Sequence, residues 1–157
     1  MVYFASEYEV KIDAKGRVVL PAKVKSNLPQ DSGANIVLSR GFEPCLVLRP
    51  QSEFFKILEK LQGLNQFDAA NRNFQRKMLS GSTDMELDGA GRFLIPKSMM
   101  NYANLKKEAI IVGMGDRLEI WNPQDYENFL DNDPDEFAKM AQEIFAEEPE
   151  SKSERPK

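Results

Sequence analysis

The sequence predicts an α+β protein built from two tandem copies of one hairpin-rich unit, with helices flanking each copy. Three observations predict it. The string Asp13-Ala14-Lys15-Gly16-Arg17-Val18-Val19-Leu20-Pro21 returns 75 residues later as Asp88-Gly89-Ala90-Gly91-Arg92-Phe93-Leu94-Ile95-Pro96, a shared D-x-x-G-R-x-x-x-P. Short apolar runs surround each string at strand length. Apolar residues at helical spacing follow each copy.

Taken in order, copy one predicts strands near 8–12 and 17–20, a short helix-like stretch over 22–28, and strands near 35–39 and 45–48. Copy two repeats this near 83–87, 92–95, 97–104, 109–113 and 117–121. The turns 13–16 and 88–91 place Asp first, where its carboxylate can accept the turn's own amides, and Gly last, where a positive φ closes the hairpin. Asp13, Gly16, Asp88 and Gly91 are therefore read as hairpin-shaping residues. Pro21 and Pro96 suit strand ends, because neither can donate to a ladder. Further along, Ile36 and Gly41 are matched to Ile110 and Gly115, and Pro50-Gln51 to Pro123-Gln124.

After Pro50, Ser52 is placed as the cap of a helix with Phe54, Ile57, Leu58 and Leu61 on one stripe and Gly63 to stop it. Leu64, Phe67, Phe74 and Met78 suggest a second helix, broken by Ser80-Gly81-Ser82. Asn122-Pro123 and Asp133-Pro134 each set a capping residue before a proline at the first helical position. They lead into Tyr126, Phe129 and Leu130, and into Phe137, Met140, Ala141, Ile144 and Phe145. Residues 147–157 hold only Glu, Ser, Lys, Arg and Pro, a composition expected to be disordered.

The chain has 157 residues, one ordinary domain's worth, enough to bury roughly 68–70% of the unfolded chain's surface. A single cysteine, Cys45, forbids an intrachain disulfide and points to a reducing, cytoplasmic setting; between Pro44 and Leu46 it reads as a small buried hydrophobe. Apolar runs of about four residues, such as 109–112, fall far short of the roughly 20 needed to span a membrane. No histidine is present, which removes the usual general base, the commonest zinc ligand and every imidazole-based triad. No metal, cofactor or small-molecule substrate is expected. An aspartic dyad from Asp13 and Asp88 is disfavoured, since Lys15 and Arg17 flank Asp13 and favour its ionised form where a dyad needs a shared proton. Gly113-Met114-Gly115 is too short for a dinucleotide fingerprint and reads as a tight turn. Trp121 and the Phe-rich helices read as core or subunit contact.

The formal charge of −4 conceals an asymmetry. Residues 131–157 carry nine acidic and four basic side chains, whereas 1–130 carry seventeen basic and sixteen acidic ones. Within the body, Lys11, Lys15, Arg17, Lys23 and Lys25 against Asp13 give a local excess of four positive charges. Such a footprint suits a polyanion. Arg17 presents a planar fork that can hold a phosphate or the guanine O6/N7 edge, and a two-stranded ribbon fits the DNA major groove. The plainer reading of Arg17 is a surface ion pair with Asp13 across the turn. Copy two has Ala90 and Glu86 where copy one has Lys15 and Lys11, so any nucleic-acid reading belongs chiefly to the first copy. For the acidic tail, a solubilising end stands beside repulsion of DNA, competition for the basic hairpin, or contact with another protein.

Residues 7–23 (EYEVKIDAKGRVVLPAK), 87–96 (LDGAGRFLIP) and 118–121 (LEIW) together resemble the MraZ family over nearly all of residues 1–130. The resemblance implies two AbrB-like swapped-hairpin units that interlock into an intrachain pseudo-dimeric small barrel with flanking helices. The domains expected are 7–54 (AbrB-like domain 1, with the main DNA-binding hairpin), 55–82 (a helical connection), 83–126 (AbrB-like domain 2), 127–146 (C-terminal helices) and the tail 147–157. It implies a DNA-binding transcriptional regulator, generally a repressor, of the division and cell-wall gene cluster that holds its own gene. It also implies a ring-shaped homo-oligomer on repeated promoter elements, associated with the nucleoid. Arg17 matches the arginine on which DNA binding depends, with Lys15 beside it, and Arg92 matches its second-copy equivalent. Lys11, Lys23 and Lys25 are candidate phosphate contacts. Asp13 and Asp88 match the acidic positions and are assigned to shaping the hairpin. The competing class is an antitoxin-like interaction module whose acidic tail grips a basic protein.

Overall fold

The computed structural model describes residues 3–30, 33–131 and 133–146, so the tail expected over 147–157 lies outside the described residues. The chain divides after Tyr126 into two compact units. The first contains every strand.

Strand β1 (Glu7–Lys11) leads through the first turn into β2 (Arg17–Val19), helix α1 (Ala22–Ser26), and strands β3 (Asn35–Arg40) and β4 (Leu46–Pro50). Helices α2 (Gln51–Gln62) and α3 (Ala69–Leu79) connect to β5 (Thr83–Glu86) and β6 (Arg92–Leu94). Helix α4 (Lys97–Tyr102), strands β7 (Glu108–Gly113) and β8 (Leu118–Trp121), and helices α5 (Pro123–Leu130) and α6 (Pro134–Ala146) complete the order.

The pairing shows how the copies interlock. Six antiparallel strands lie in the order β1-β7-β8-β4-β3-β5, and β2 pairs with β6 in a separate two-stranded ribbon. Exchanging each strand for its counterpart in the other copy turns the six-stranded order into its own reverse, so the chain carries an internal two-fold. The first strand of each copy is swapped: β1 pairs with β7 of copy two, and β5 with β3 of copy one. The internal axis runs through the pair Val18 and Phe93 in the ribbon and the pair Val47 and Glu119 in the sheet. Ribbon and sheet enclose a core of Leu20, Ile36, Leu38, Leu46, Leu48, Ile95, Met99, Ile111, Leu118 and Ile120, into which Val18 and Phe93 both point. The two tandem units are thus one α+β barrel-like body with a shared interior.

On the other face of the sheet, α2 packs on β3 and β4, burying Phe54 and Leu61. Near β7 and β8, the buried Cys45, Val112 and Trp121 gather with Tyr126 packed against them. Burial pushes the Cys45 thiol up to about 12, with Glu119 and Glu43 adding to it. Tyr126 stacks obliquely on Trp121 at 5.7 Å and donates its hydroxyl to Glu7 at 2.5 Å. The tight turn expected at 113–115 lies one residue later: Gly113 ends β7, and the loop 114–117 is closed by the Met114 amide on the Arg117 carbonyl, with Gly115 bridging Phe4.

Several expectations need correction. Lys11 pairs with Glu108, and its counterpart Glu86 pairs with Asn35. That makes Asn35 the counterpart of Glu108, so Ile36 answers to Ala109 and not to Ile110. Gly41 closes its loop on Cys45 and Met114 closes its loop on Arg117, so Gly41 answers to Met114, and copy one's loop is longer by one residue. Helix α2 starts at Gln51, with Pro50 rather than Ser52 at the boundary and no side-chain cap bond. Helix α3 begins only after Asp68, whose carboxylate accepts the Ala70 amide, so Leu64 and Phe67 precede it. Asn122 does cap α5, accepting from Gln124 and Asp125, and Asp133 accepts the Asp135 amide at the start of α6. No helix among the described residues is long and apolar enough to cross a membrane.

Candidate nucleic-acid interface

Both D-x-x-G-R turns fold identically. In the first, Gly16 donates its amide to the Asp13 carbonyl at 3.0 Å, and Asp13 donates its own to the Arg17 carbonyl at 3.0 Å. One oxygen of the Asp13 carboxylate, Oδ1, accepts the Lys15 and Arg17 amides at 2.9 Å each. The other, Oδ2, accepts Arg17 Nε at 2.7 Å. Asp88 repeats every contact with Ala90, Gly91 and Arg92, its ion pair to Arg92 Nε being 2.8 Å long. A carboxylate with three donors aimed at it favours its charged form. Accordingly, the Arg17 backbone amide, followed by the Arg17 side chain and the Lys15 amide, holds Asp13 below the usual carboxylate range. Asp88 is held down in the same way by Arg92. Each carboxylate is spoken for by its own turn, which leaves neither in the raised state an acid-base dyad requires.

The ion pair engages only Nε. The outer nitrogens Nη1 and Nη2 of Arg17 and Arg92 carry no hydrogen bond among the described residues. Each guanidinium is therefore fixed at its root and open at its fork, the arrangement that bidentate recognition of a phosphate or a base edge requires. The surface ion pair and the recognition role are compatible readings of the same arginine.

The swap decides which cations share a hairpin. Gly16 has φ +87°, and its carbonyl accepts the Ile95 amide of copy two at 2.9 Å. An open groove of about 840 Å³ beside this first tip is lined by Lys11, Asp13 and Lys15 from copy one and by Lys97, Lys106, Lys107 and Glu108 from copy two. Lys25, although close to Arg17 in sequence, lies against Gly91 of the second tip, with its Nζ 3.4 Å from where a Cβ there would sit. Lys23 lines a different concavity, formed with the 3–8 segment. The structure thus brings Lys11 and Lys15 to one groove, anchors Arg17 beside it through Asp13, and places Lys23 and Lys25 elsewhere. Sequence reasoning missed Lys97, Lys106 and Lys107. The duplication held the signal for them: an exchange of the first strands puts the residues after Pro96, and those before strand 108–113, beside the first turn.

The second unit carries exposed apolar side chains. Phe137, Met140, Ile144 and Phe145 of α6 are all more than half exposed, and Phe129, Leu130, Phe137 and Met140 line an apolar cleft of about 710 Å³. Phe54 and Leu61, read from sequence as possible subunit contacts, are instead buried within the first unit.

A family model described as "MraZ protein, putative antitoxin-like" matches the chain twice, over residues 3–77 and 78–152. Curated relatives bear the name transcriptional regulator MraZ. One from Cytophaga hutchinsonii is 51% identical over 146 residues, covering 93% of this chain and 97% of the relative. Another from Mycoplasmoides gallisepticum is 40% identical, covering 90% and 96%. A third from Bifidobacterium longum is 37% identical, covering 89% and 91%.

Proposed function

Since the chain belongs to the MraZ family, we propose that this transcriptional regulator, which is not an enzyme, acts by reading DNA through its first hairpin. The observation that carries the reading is the Arg17 fork, rooted by Asp13 at 2.7 Å and open outward beside Lys15. In this reading Arg17 and Lys15 meet base edges in the major groove, and Lys11 meets backbone phosphate. Arg92 offers the same fork with Ala90 and Glu86 as neighbours, a weaker field, and Lys25 supplements that second tip. Lys23 is a more remote phosphate contact.

The proposed targets are repeated elements upstream of the protein's own gene and of the division and cell-wall cluster, where the protein acts as an autoregulatory repressor on the nucleoid. One tip per chain binds weakly. A ring-like homo-oligomer converts later contacts into intramolecular ones and raises avidity on sites one helical turn apart, about 10–10.5 bp. The exposed face of α6 is the proposed subunit contact, because an uncovered apolar patch of this kind marks an interaction site.

A gel-shift titration of wild type and Arg17→Ala against the DNA upstream of the gene, with nonspecific competitor, tests the reading. Competitor-resistant binding is expected for wild type, falling by roughly five- to 150-fold in the variant at roughly 1–3 kcal/mol per bidentate pair. Equal affinity in the two proteins rejects it. The antitoxin-like words of the family description favour a second reading, a protein-interaction module. Removal of residues 131–157, tested on a short duplex holding a single site, separates the two: a DNA reader loses the avidity that α6 supplies on repeated sites but keeps its Arg17-dependent binding there, and an interaction module loses its partner.

A further inference from the structure

We infer that the DNA surface of the first hairpin is composite, and that Lys97, Lys106 and Lys107 of the second copy supply backbone-phosphate contacts for the duplex that Arg17 reads. This rests on the DNA-reading function proposed above.

Four observations support it. The groove beside the Asp13–Gly16 turn is walled on its far side by these three lysines, and the Lys107 carbonyl accepts the Ile12 amide at 2.8 Å, which fixes that wall to the base of the hairpin. All three side chains are exposed, and among the described residues none has a carboxylate within ion-pair distance. Lys97 opens α4, whose first turn holds no acidic residue, a position where the helix dipole disfavours a cation. The internal two-fold supplies the comparison. Lys97 follows Pro96 as Ala22 follows Pro21, and the Lys107 carbonyl accepts from Ile12 as the Ala34 carbonyl accepts from Leu87.

The counterparts of Lys97, Lys106 and Lys107 at the second tip are therefore Ala22, Gly33 and Ala34, all uncharged. Around the groove at the first tip, Lys11, Lys15, Lys97, Lys106 and Lys107 face Asp13 and Glu108, with Arg17 held beside it by Asp13. Around the second, Arg92 and Lys25 face Asp88 and Glu86. Equal backbone geometry with so unequal a charge means that the lysines are not needed to hold the fold. Repelling cations gathered around one open groove suit a chain of phosphates, whose binding releases condensed counterions.

The test is the salt dependence of binding to a short duplex cut from the DNA upstream of the gene. Wild type, Arg17→Ala and the triple variant Lys97→Gln/Lys106→Gln/Lys107→Gln are compared on specific and random duplexes. The triple variant is expected to flatten the slope of log K against log salt by about 2–3. Its affinity is expected to fall by a similar factor on both duplexes, on the order of ten- to a hundredfold, with an unchanged melting curve. The triple Lys→Arg variant should restore both affinity and slope. A wild-type slope in the Gln variant, while Arg17→Ala still loses specific binding, overturns this inference and leaves the DNA reading standing. No DNA binding by wild type overturns both. An equal loss in the control Lys56→Gln/Lys60→Gln/Lys77→Gln, on the helices between the copies, also overturns it, since net charge alone would then explain the effect.

Discussion

Ile95 donates its backbone amide to the carbonyl of Gly16 at 2.9 Å, and Leu20 does the same to Gly91 across the internal two-fold. Each D-x-x-G-R turn is thus held in place by a strand end belonging to the opposite copy. The tips are parts of a single closed structure, and damage at one turn is transmitted to the other copy.

Substituting the two turn glycines should separate strain from contact. Both have positive φ, where a side chain costs about 1–2 kcal/mol. At Gly16 an added Cβ would also lie 2.9 Å from the Ile95 carbonyl oxygen, whereas at Gly91 it would meet only the flexible end of Lys25 at 3.4 Å. Gly16→Ala is expected to be the more destabilising of the two in urea unfolding. Equal losses would show that backbone strain alone matters.

The pH dependence of the turns follows from their carboxylates. Asp13 and Asp88 are both held below their unfolded values. Their contribution to stability is therefore fully present above the ordinary carboxylate pKa of about 3.9, and is lost as pH falls through the lowered folded values. NMR titration should show the Lys15, Arg17, Ala90 and Arg92 amide shifts flat from neutral pH down to that point and moving only below it. Movement centred at or above the ordinary value would contradict the geometry.

Cys45 should be chemically silent. It is fully buried, and its thiol is pushed up to about 12, which leaves almost no thiolate at neutral pH. Native protein is expected to resist an alkylating reagent at pH 8 and to react promptly in denaturant, as read by mass spectrometry. Rapid labelling of the folded protein would mean that the sheet opens near Trp121.

Charge introduced on α6 should disturb assembly and leave the fold intact. Phe137→Glu and Ile144→Glu replace side chains that are 76% and 58% exposed in the chain. The variants should keep the wild-type melting transition of residues 1–126 and elute at smaller size in light-scattering chromatography. An unchanged mass would place the subunit contact elsewhere.

What the sequence made legible was governed by local chemistry. Asp at the head of each turn, Gly at its foot and Pro at each strand end have strong conformational demands, so the two hairpins could be placed within a residue or so. The caps Asn122 and Asp133 were legible for the same reason. Ser52 was not a cap, because Pro50 already sets the boundary and the helix takes Gln51 as its first residue. The equivalence of Ile36 with Ala109 was hidden by two extra residues in copy one, where 13 residues separate Pro21 from Asn35 and 11 separate Pro96 from Glu108, a difference that no periodicity reveals. Pairing is a long-range property, and here it reassigns neighbours. Lys25, eight positions from Arg17, belongs spatially to Gly91, while Lys97 and Lys107 belong to the first turn.

A duplication held in one chain has a freedom that two separate identical subunits lack. Two copies of one polypeptide must change together, so they present the same face twice and suit a site that reads alike on both strands. Here the halves share a backbone while their surfaces have diverged, with Lys15 opposed to Ala90 and Lys97 to Ala22. If the chain reads DNA as proposed, the particle has a front and a back along the duplex, and its orientation there carries information that a reader with exact two-fold symmetry could not hold.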